Sequence, residues 1–418
     1  MVQGAQQAGL RRRLAARLAR NVDLLSRGRA GAVHRGPADL PVGPEAAALS
    51  LPRAQAQRPR ALSRARGGSS GDRVDRNADC HSFGPARTSH PCVYRGFCVA
   101  GCSTNAKQSV LVTWLPRALA AGAEIRDLAM VGRIETRNGR ATGVHFRREG
   151  EWHFQKARNV VVAGYAIETP RLLLNSANDE FPDGLANSSG MVGRNLMVQL
   201  NQAAWGRLED EVRSYKGPPS LAISEHWNYA DSGKDYHGGW CYMSQGPLPI
   251  SWANTLSRCR GLWGQALLDE MNRANHSVGL KMVGEVLPYP HNRVTLTDET
   301  DQYGLPVPRV TYSLGDNEKA MIRHAVDFMD RSLEAVGATE RWQEMDDTCH
   351  LNGTARMGDD PATSVVDADC RSWDVPNLWL CDGSVFPTVG GVNPSLTIQA
   401  IACRTGDRIA ELARRGEL

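Results

Sequence analysis

Two short stretches of this 418-residue chain carry side chains suited to moving protons. One is Cys349-His350-Leu351-Asn352-Gly353-Thr354. The other runs from Asp382-Gly383-Ser384 to Asn393-Pro394-Ser395-Leu396-Thr397. An ordinary histidine titrates near neutrality, so His350 can take a proton from a hydroxyl and return it. The Asn393 amide can hold the same substrate oxygen. Asn393-Pro394 also opens a helix, whose free N–H groups and positive end stabilise an anion that forms during reaction. Asp382, at a strand end, can accept hydrogen bonds from a ribose or ribitol hydroxyl. Each feature has a plainer reading. A histidine before a glycine turn is commonly structural, Asn-Pro is an ordinary helix start, and from spacing alone these readings outweigh catalysis.

The elements around these stretches read as an α/β layer. Val160-Val161-Val162 is a buried strand, Ala163-Gly164 lets the backbone turn sharply, and Thr169-Pro170 suits the start of a helix. Strand, glycine turn and helix are the order of a nucleotide-binding layer. A second short strand at 377–381 stops at Asp382-Gly383, and a loop leads from it into a helix over 395–415 closed by Gly416. In open α/β sheets the ligand lies beyond the carboxyl ends of the strands, where Asp382 falls.

Earlier, residues 103–122 suit a helix kinked or broken near Pro116. Strands are expected over 129–136 and 141–148, joined by Asn138-Gly139. The stretch 201–345 has a different style, rich in Trp, Tyr and Pro. Antiparallel strands fall at 293–297 and 308–313. An amphipathic helix follows, presenting Met321, Ile322, Ala325, Val326, Met329, Leu333 and Val336, capped by Asp316 or Asn317 and ended by Gly337. This region reads as a second domain built on a sheet. Its aromatic residues at 204–265 suit a sugar pocket or a core, and core packing is the commoner role.

With 41% apolar and 22% charged residues, the composition excludes collagen, mucin and wholesale disorder. No apolar run approaches the length of a transmembrane segment. The net charge of +4 is unevenly spread: residues 1–80 carry +9 and the remainder −5. Those first eighty residues contain no Lys, Ile, Thr, Phe, Tyr or Trp. Too little apolar surface is available there to offset the entropy of ordering, so residues 1–79 read as a disordered arm or as out-of-frame translation of a GC-rich gene. Leu10, Leu14 and Leu18 recur among arginines at helical spacing, which alternatively fits a targeting or surface-binding arm, or a nucleic-acid contact. The balance favours no nucleic-acid partner. An apolar secretory core is missing, which favours the cytoplasm for the chain as given, with the periplasm open if a leader is missing.

The ten cysteines form no CxxC pair, and a disulfide framework is not expected in a chain this long. Cys92, Cys98 and Cys102, with Cys80, His81 and His90 near, fit neither zinc nor iron–sulfur spacing well, so structural or free thiols are expected and no metal site is assigned.

The string HLNGTARMGDDPATSVVD, followed by NLWLCDGSVFPTVGGVNPSLTIQAIACR, resembles the carboxy-terminal signature of the glucose-methanol-choline (GMC) flavin oxidoreductases. AIETPRLLLNS at 166–176 resembles that family's second signature. PVPRVTYS, GLANSSGMVGRNLM and VYRGFCVAGCSTNAK are similar to its bacterial dehydrogenase branch. The resemblance runs from about Cys92 to the carboxyl terminus. It implies an incomplete Rossmann-like FAD-binding domain over 80–200 and 346–418 and a substrate domain over 201–345, an α/β (α+β overall) architecture. It implies FAD as cofactor, and oxidation of an alcohol or sugar-type substrate by hydride transfer to the flavin. His350 falls at the family's catalytic histidine and Asn393 at its partner. Asp382, Gly383, Asn393, Pro394 and Thr397 fall at the flavin-contacting loop and helix start, Val131 at the adenine contact, and Ala163-Gly164 at the adjoining strand end. Tyr165 departs from the small residue or Asn usual there.

The larger departure is an absence. The family's opening strand, GxGxxG turn and following acidic residue are not found: Gly28-Arg29-Ala30-Gly31 is not that motif, and Arg66-Gly67-Gly68-Ser69-Ser70 lacks its surroundings. Without that turn the FAD pyrophosphate loses its main cradle. The expected alternative is therefore a truncated, inactive fragment unable to hold FAD. The alcohol and the electron acceptor are not legible.

Overall fold

The computed structural model describes residues 92–213, 220, 222–229, 234–344 and 348–418. The arm 1–79 and its basic leucine repeat lie outside the described residues, as do Cys80, His81 and His90. Among the described residues the first helix, α1, spans Trp114–Ala120 and buries no residue. It is shorter than the 103–122 expectation because Pro116 belongs to its first turn. There a missing N–H costs nothing and the ring does not meet a preceding turn, so the proline starts the helix instead of kinking it. Asn138 and Gly139 both take positive φ, 54° and 70°. That backbone matches strand twist and joins β1 (Met130–Arg137) to β2 (Arg140–Arg148). The exposed strand β3 (Glu151–Lys156), which no alternation in the sequence announced, completes a three-stranded antiparallel sheet.

Next come β4 (Val160–Val162) and helix α2 (Tyr165–Asn175), which starts four residues before the expected Thr169-Pro170. Pro170 is thus inside the helix and returns no N–H to the Ala166 carbonyl. The Thr354 hydroxyl fills that acceptor at 2.9 Å, so a residue 188 positions away makes the proline tolerable. Tyr165 sits at φ 55°, the left-handed region that Asn and Gly enter most readily, which accounts for the residue types usual there.

Among the described residues the largest sheet has seven strands. Its path is β12 (Thr339–Glu344), β6 (Ala203–Arg207), β9 (Ser277–Gly284), β5 (Met197–Leu200) and β13 (Thr348–Asn352), with β8 (Trp240–Gln245) on β9 and β7 (Ile223–Ser224) on β8. It thus reaches one strand beyond the 201–345 segment at each end. The strands at 293–297 and 308–313 are found as the hairpin β10 (Arg293–Thr300) and β11 (Pro306–Thr311). Three short helices, α3 (His226–Tyr229), α4 (Pro249–Arg260) and α5 (Gly264–Asn272), lie between the sheet strands in sequence. Helix α6 (Asp316–Ala335) buries Met321, Ile322, Ala325, Val326, Met329 and Leu333. Gly315, not Asp316 or Asn317, is its N-cap, because the Glu318 carboxylate turns back to accept the Gly315 N–H at 3.1 Å. Gly337, at φ 81°, follows its end.

Strand β14 (Leu378–Leu380) pairs parallel with β4, Trp379 opposite Val161, and among the described residues this parallel sheet has two strands. Val160 and Val162 are buried on its inner face, while Val161 is 51% exposed on the other. Parallel strands are normally covered on both faces, so this exposed valine marks surface suited to a further layer. Helix α7 (Ser395–Arg414) closes the chain, with Gly416 at φ 71° just beyond it.

Candidate active site

A bulge in β13 places His350. Cys349 pairs with Gln199 and Leu351 with Val198, so His350 is the extra residue, at φ 52°. A bulge re-aims one side chain without breaking the strand's hold on the sheet. The Asn352 amide donates to the His350 carbonyl at 2.6 Å, securing the turned backbone. Gly353 then has φ 80°, and a Cβ there would run into the Asn195 carbonyl, so only glycine fits.

The imidazole is half-buried between two amides. Gln199 Oε1 lies 2.7 Å from His350 Nδ1. The Gln199 amide nitrogen donates to the carbonyls of Gly390 and of Val392, the latter at 3.0 Å, so this amide has no other orientation that satisfies both ends. Oε1 can only accept, and Nδ1 therefore carries the hydrogen. Nε2 is left with its lone pair, and Asn393 Nδ2 lies 3.2 Å from it as donor. Cys349 Sγ is a second neighbour of Nδ1, at 2.9 Å. Burial first, and the Lys281 charge second, hold His350 below its ordinary pKa, which keeps it neutral. The result is a neutral imidazole with its basic nitrogen beside an exposed amide.

Of the residues singled out from the sequence, His350 and Asn393 are brought together. Asp382 and Gly383 join Ala163 and Gly164 at the shared carboxyl end of β14 and β4. Asp382, however, is buried and occupied. Oδ1 accepts the Ser384 N–H at 2.7 Å, and Oδ2 accepts the Tyr165 N–H at 2.9 Å and the Thr169 hydroxyl at 2.6 Å. Its visible work is to clasp the two strand ends. Pro394 is the N-cap of α7 and Thr397 lies in its first turn, where no side chain caps the free N–H groups. Val131 lies in β1 of the three-stranded sheet, apart from the seven-stranded sheet that carries His350 and the parallel pair that ends at Ala163 and Asp382. Gln199 was not anticipated. A glutamine in an apolar strand carries no local mark of what it faces.

Among the described residues no group of three His, Cys, Asp or Glu side chains is placed to hold a metal. Cys92, Cys98 and Cys102 form no disulfide among the described residues.

The fold thus sets a histidine on a bulge of the large antiparallel sheet against an asparagine amide at the start of a long helix, in an α/β protein. Two profiles described as GMC oxidoreductase match residues 78–201 and 288–402. The chain belongs to the GMC oxidoreductase family, whose cofactor is FAD. It is 35% identical to the 2-methyl-1,2-propanediol dehydrogenase of Mycolicibacterium austroafricanum, over 75% of this chain and 59% of that protein. It is 32% identical to the paromamine 6'-oxidase of Streptomyces fradiae over 76% and 58%, and 32% identical to the fructose dehydrogenase large subunit of Gluconobacter japonicus over 71% and 55%. The chain thus spans under three fifths of the length of these relatives. In fold it is similar to a pyridoxine 4-oxidase from Mesorbium loti (TM-score 0.50, 19% identity, 68% of this chain and 57% of that one). It is also similar to an Aspergillus oryzae formate oxidase variant studied for FAD modification (TM-score 0.53, 16% identity, 69% and 60%).

The described residues fit one end of FAD. The uncapped start of the 20-residue helix α7 offers unpaired N–H groups and a positive end, beside the exposed Asn393 and the 69% exposed Leu396. These suit the polar edge and apolar face of an aromatic ring system. For the pyrophosphate, the sequence supplies no glycine-rich turn.

Proposed function

We propose that this chain acts as an FAD-dependent oxidoreductase on the CH–OH group of an alcohol or sugar-type small molecule. The observation that carries the reading is the His350–Asn393 pair, with Nε2 unprotonated. A substrate hydroxyl entering between them exchanges the resting contact for two hydrogen bonds, donating to His350 Nε2 and accepting from Asn393 Nδ2. His350 then takes the hydroxyl proton as general base while Asn393 orients the oxygen. The start of α7, with Asn393, Pro394 and Thr397, and the Asp382–Gly383 turn would hold the flavin ring. Bound there, FAD supplies the acceptor for the hydride leaving the carbon. Relatives named for 2-methyl-1,2-propanediol, paromamine and fructose support a hydroxyl-bearing substrate.

The test uses purified chain supplied with FAD and challenged anaerobically with alcohols and sugars. Substrate should bleach the bound flavin, and His350→Ala should slow bleaching by about 10²–10⁴-fold while leaving FAD uptake intact. Equal bleaching rates in the variant would refute the base assignment. A second reading, an inactive fragment unable to retain FAD, is favoured by the missing glycine-rich turn and the exposed Val161 face. A chain that purifies colourless and takes up no added flavin would establish that reading instead.

A further inference from the structure

Strand β3 is an open edge. It pairs with β2 on one side, and among the described residues no strand pairs with its other side. Every one of its residues is exposed. The phase of the ladder tells which backbone groups are unused. The Ala157 N–H donates to the Thr142 carbonyl at 2.9 Å, and the β2–β3 register continues from that pair without a shift. Bonded and non-bonded positions alternate along an antiparallel ladder. His153 and Gln155 therefore turn their backbone groups inward to β2, while Trp152, Phe154 and Lys156 present theirs at the open edge. A bulge, which blunts many edges, is missing from this strand, although the β1–β2 pairing is irregular.

The residues with open backbone groups also share one face of the sheet, since side chains alternate along a strand. Trp152 and Phe154 are 48% and 45% exposed, and the Phe154 ring leans on His145 with centroids 4.9 Å apart. Arg126 Nη1 donates to Gln155 Oε1 at 2.7 Å, which brings the exposed Ile125 and Leu128 beside the strand. Apolar surface thus gathers along an edge that still has hydrogen bonds to make. A lysine on an edge ordinarily deters pairing. Lys156 has the opposite effect when the incoming strand sets a tryptophan across from it.

We propose that β3 is a self-association edge, to which a second copy of this chain adds its own β3 antiparallel, with Phe154 facing the partner subunit's Phe154 and Trp152 facing the partner subunit's Lys156. Two-fold symmetry sets opposite residues on the same face, and the outward backbone groups must pair among themselves. Centring on Phe154 meets both conditions, whereas centring on His153 would carry Lys156 past the start of the partner strand. In the favoured register the Lys156 ammonium lies over the partner subunit's Trp152 ring, and the two Phe154 rings form a cross-strand aromatic pair. The Gln155 amide, which donates to the Lys156 carbonyl at 2.9 Å, yields that acceptor to the N–H of the partner subunit's Trp152. A six-residue strand pair is smaller than the roughly 1,200 Å² of a standard interface, so the dimer is weak and reversible. Pairing uses up the edge of each copy and stops at two.

The experiment is analytical ultracentrifugation of the purified full chain from low to high micromolar concentration, with no flavin or substrate added. The chain should show a reversible monomer–dimer equilibrium. Phe154→Lys and Phe154→Glu should each weaken the dimer by about tenfold or more, because like charges then meet across the axis. An equal mixture of the two variants should dimerise again, because opposite charges meet instead. Lys156→Glu, at an exposed position, should weaken the dimer about fivefold or more through loss of both cation–π contacts. Circular dichroism confirms that each variant keeps its fold. A chain that stays monomeric throughout, a dimer indifferent to all three substitutions, or a mixture no tighter than either Phe154 variant alone overturns the proposal.

Discussion

Gln199 Oε1 and His350 Nδ1 are 2.7 Å apart, and that contact decides which nitrogen of the histidine is basic. The glutamine amide hydrogens are committed to the backbone of the Gly390–Val392 loop, so one side chain fixes both the imidazole tautomer and the loop that presents Asn393. Gln199 is a positioning residue in this scheme. Gln199→Leu should slow flavin bleaching by about 10–100-fold, the usual cost of losing a partner that orients a functional histidine. Gln199→Glu should instead place an anion beside Nδ1, favour the imidazolium, and move the acid limb of the pH–rate profile upward. A rate loss in both variants with no displacement of the profile would mark Gln199 as merely structural.

The pH dependence follows from the direction of the His350 shift. Burial and Lys281 hold the folded pKa below the ordinary value of about 6.5. In the proposed mechanism the neutral imidazole is the base, so bleaching should be constant above that depressed pKa and fall as pH drops through it. Lys281→Met should raise the limb toward the ordinary value. Stability carries the same sign. Below the unfolded pKa the unfolded chain binds the extra proton first, so this group's contribution is lost as pH falls through that window. Titration of the His350 ring protons by NMR checks both statements.

Asp382 joins two strand ends through three hydrogen bonds from within a buried position. Asp382→Ala leaves two backbone N–H groups and the Thr169 hydroxyl without their acceptor. It should lower unfolding free energy by about 3 kcal/mol or more, on the scale of hydrogen bonds to a charged group. Urea denaturation measures it. A loss below about 1 kcal/mol would show that water substitutes for the clasp.

Cys102 should be the most reactive thiol of the 92–107 segment. Donation from the Lys107 N–H, aided by the Thr104 hydroxyl, lowers its pKa to about 7, whereas burial and the neighbouring cysteines raise Cys98. Iodoacetamide labelling followed by mass spectrometry should modify Cys102 ahead of Cys98 at neutral pH, with a half-maximal rate near pH 7. Faster labelling of Cys98 would contradict the assignment.

The pattern of residues was enough for the elements whose signals are local. The turn at Asn138-Gly139, the valine strand, the long amphipathic helix ended by Gly337 and the helix after Asn393-Pro394 all depend on neighbours within a few positions. The signature strings were equally local, and they carried the family assignment. One error arose where a distant residue decided the outcome: Pro170 sits inside a helix because Thr354 fills the vacated acceptor. Another was local: Gly315 caps α6 because Glu318, three residues on, turns back onto it.

The sequence by itself therefore determined the family, the elements with local signals, and the two segments from which the candidate site is built. Only the tertiary structure decided how they act. His350 is aimed by a bulge whose register exists only through pairing with β5, and its basic nitrogen is chosen by Gln199, 151 positions away. Asp382 became a clasp because strands remote in sequence end side by side. Hydrogen-bond direction, tautomer and burial are properties of groups meeting in space, and a linear pattern holds no record of them.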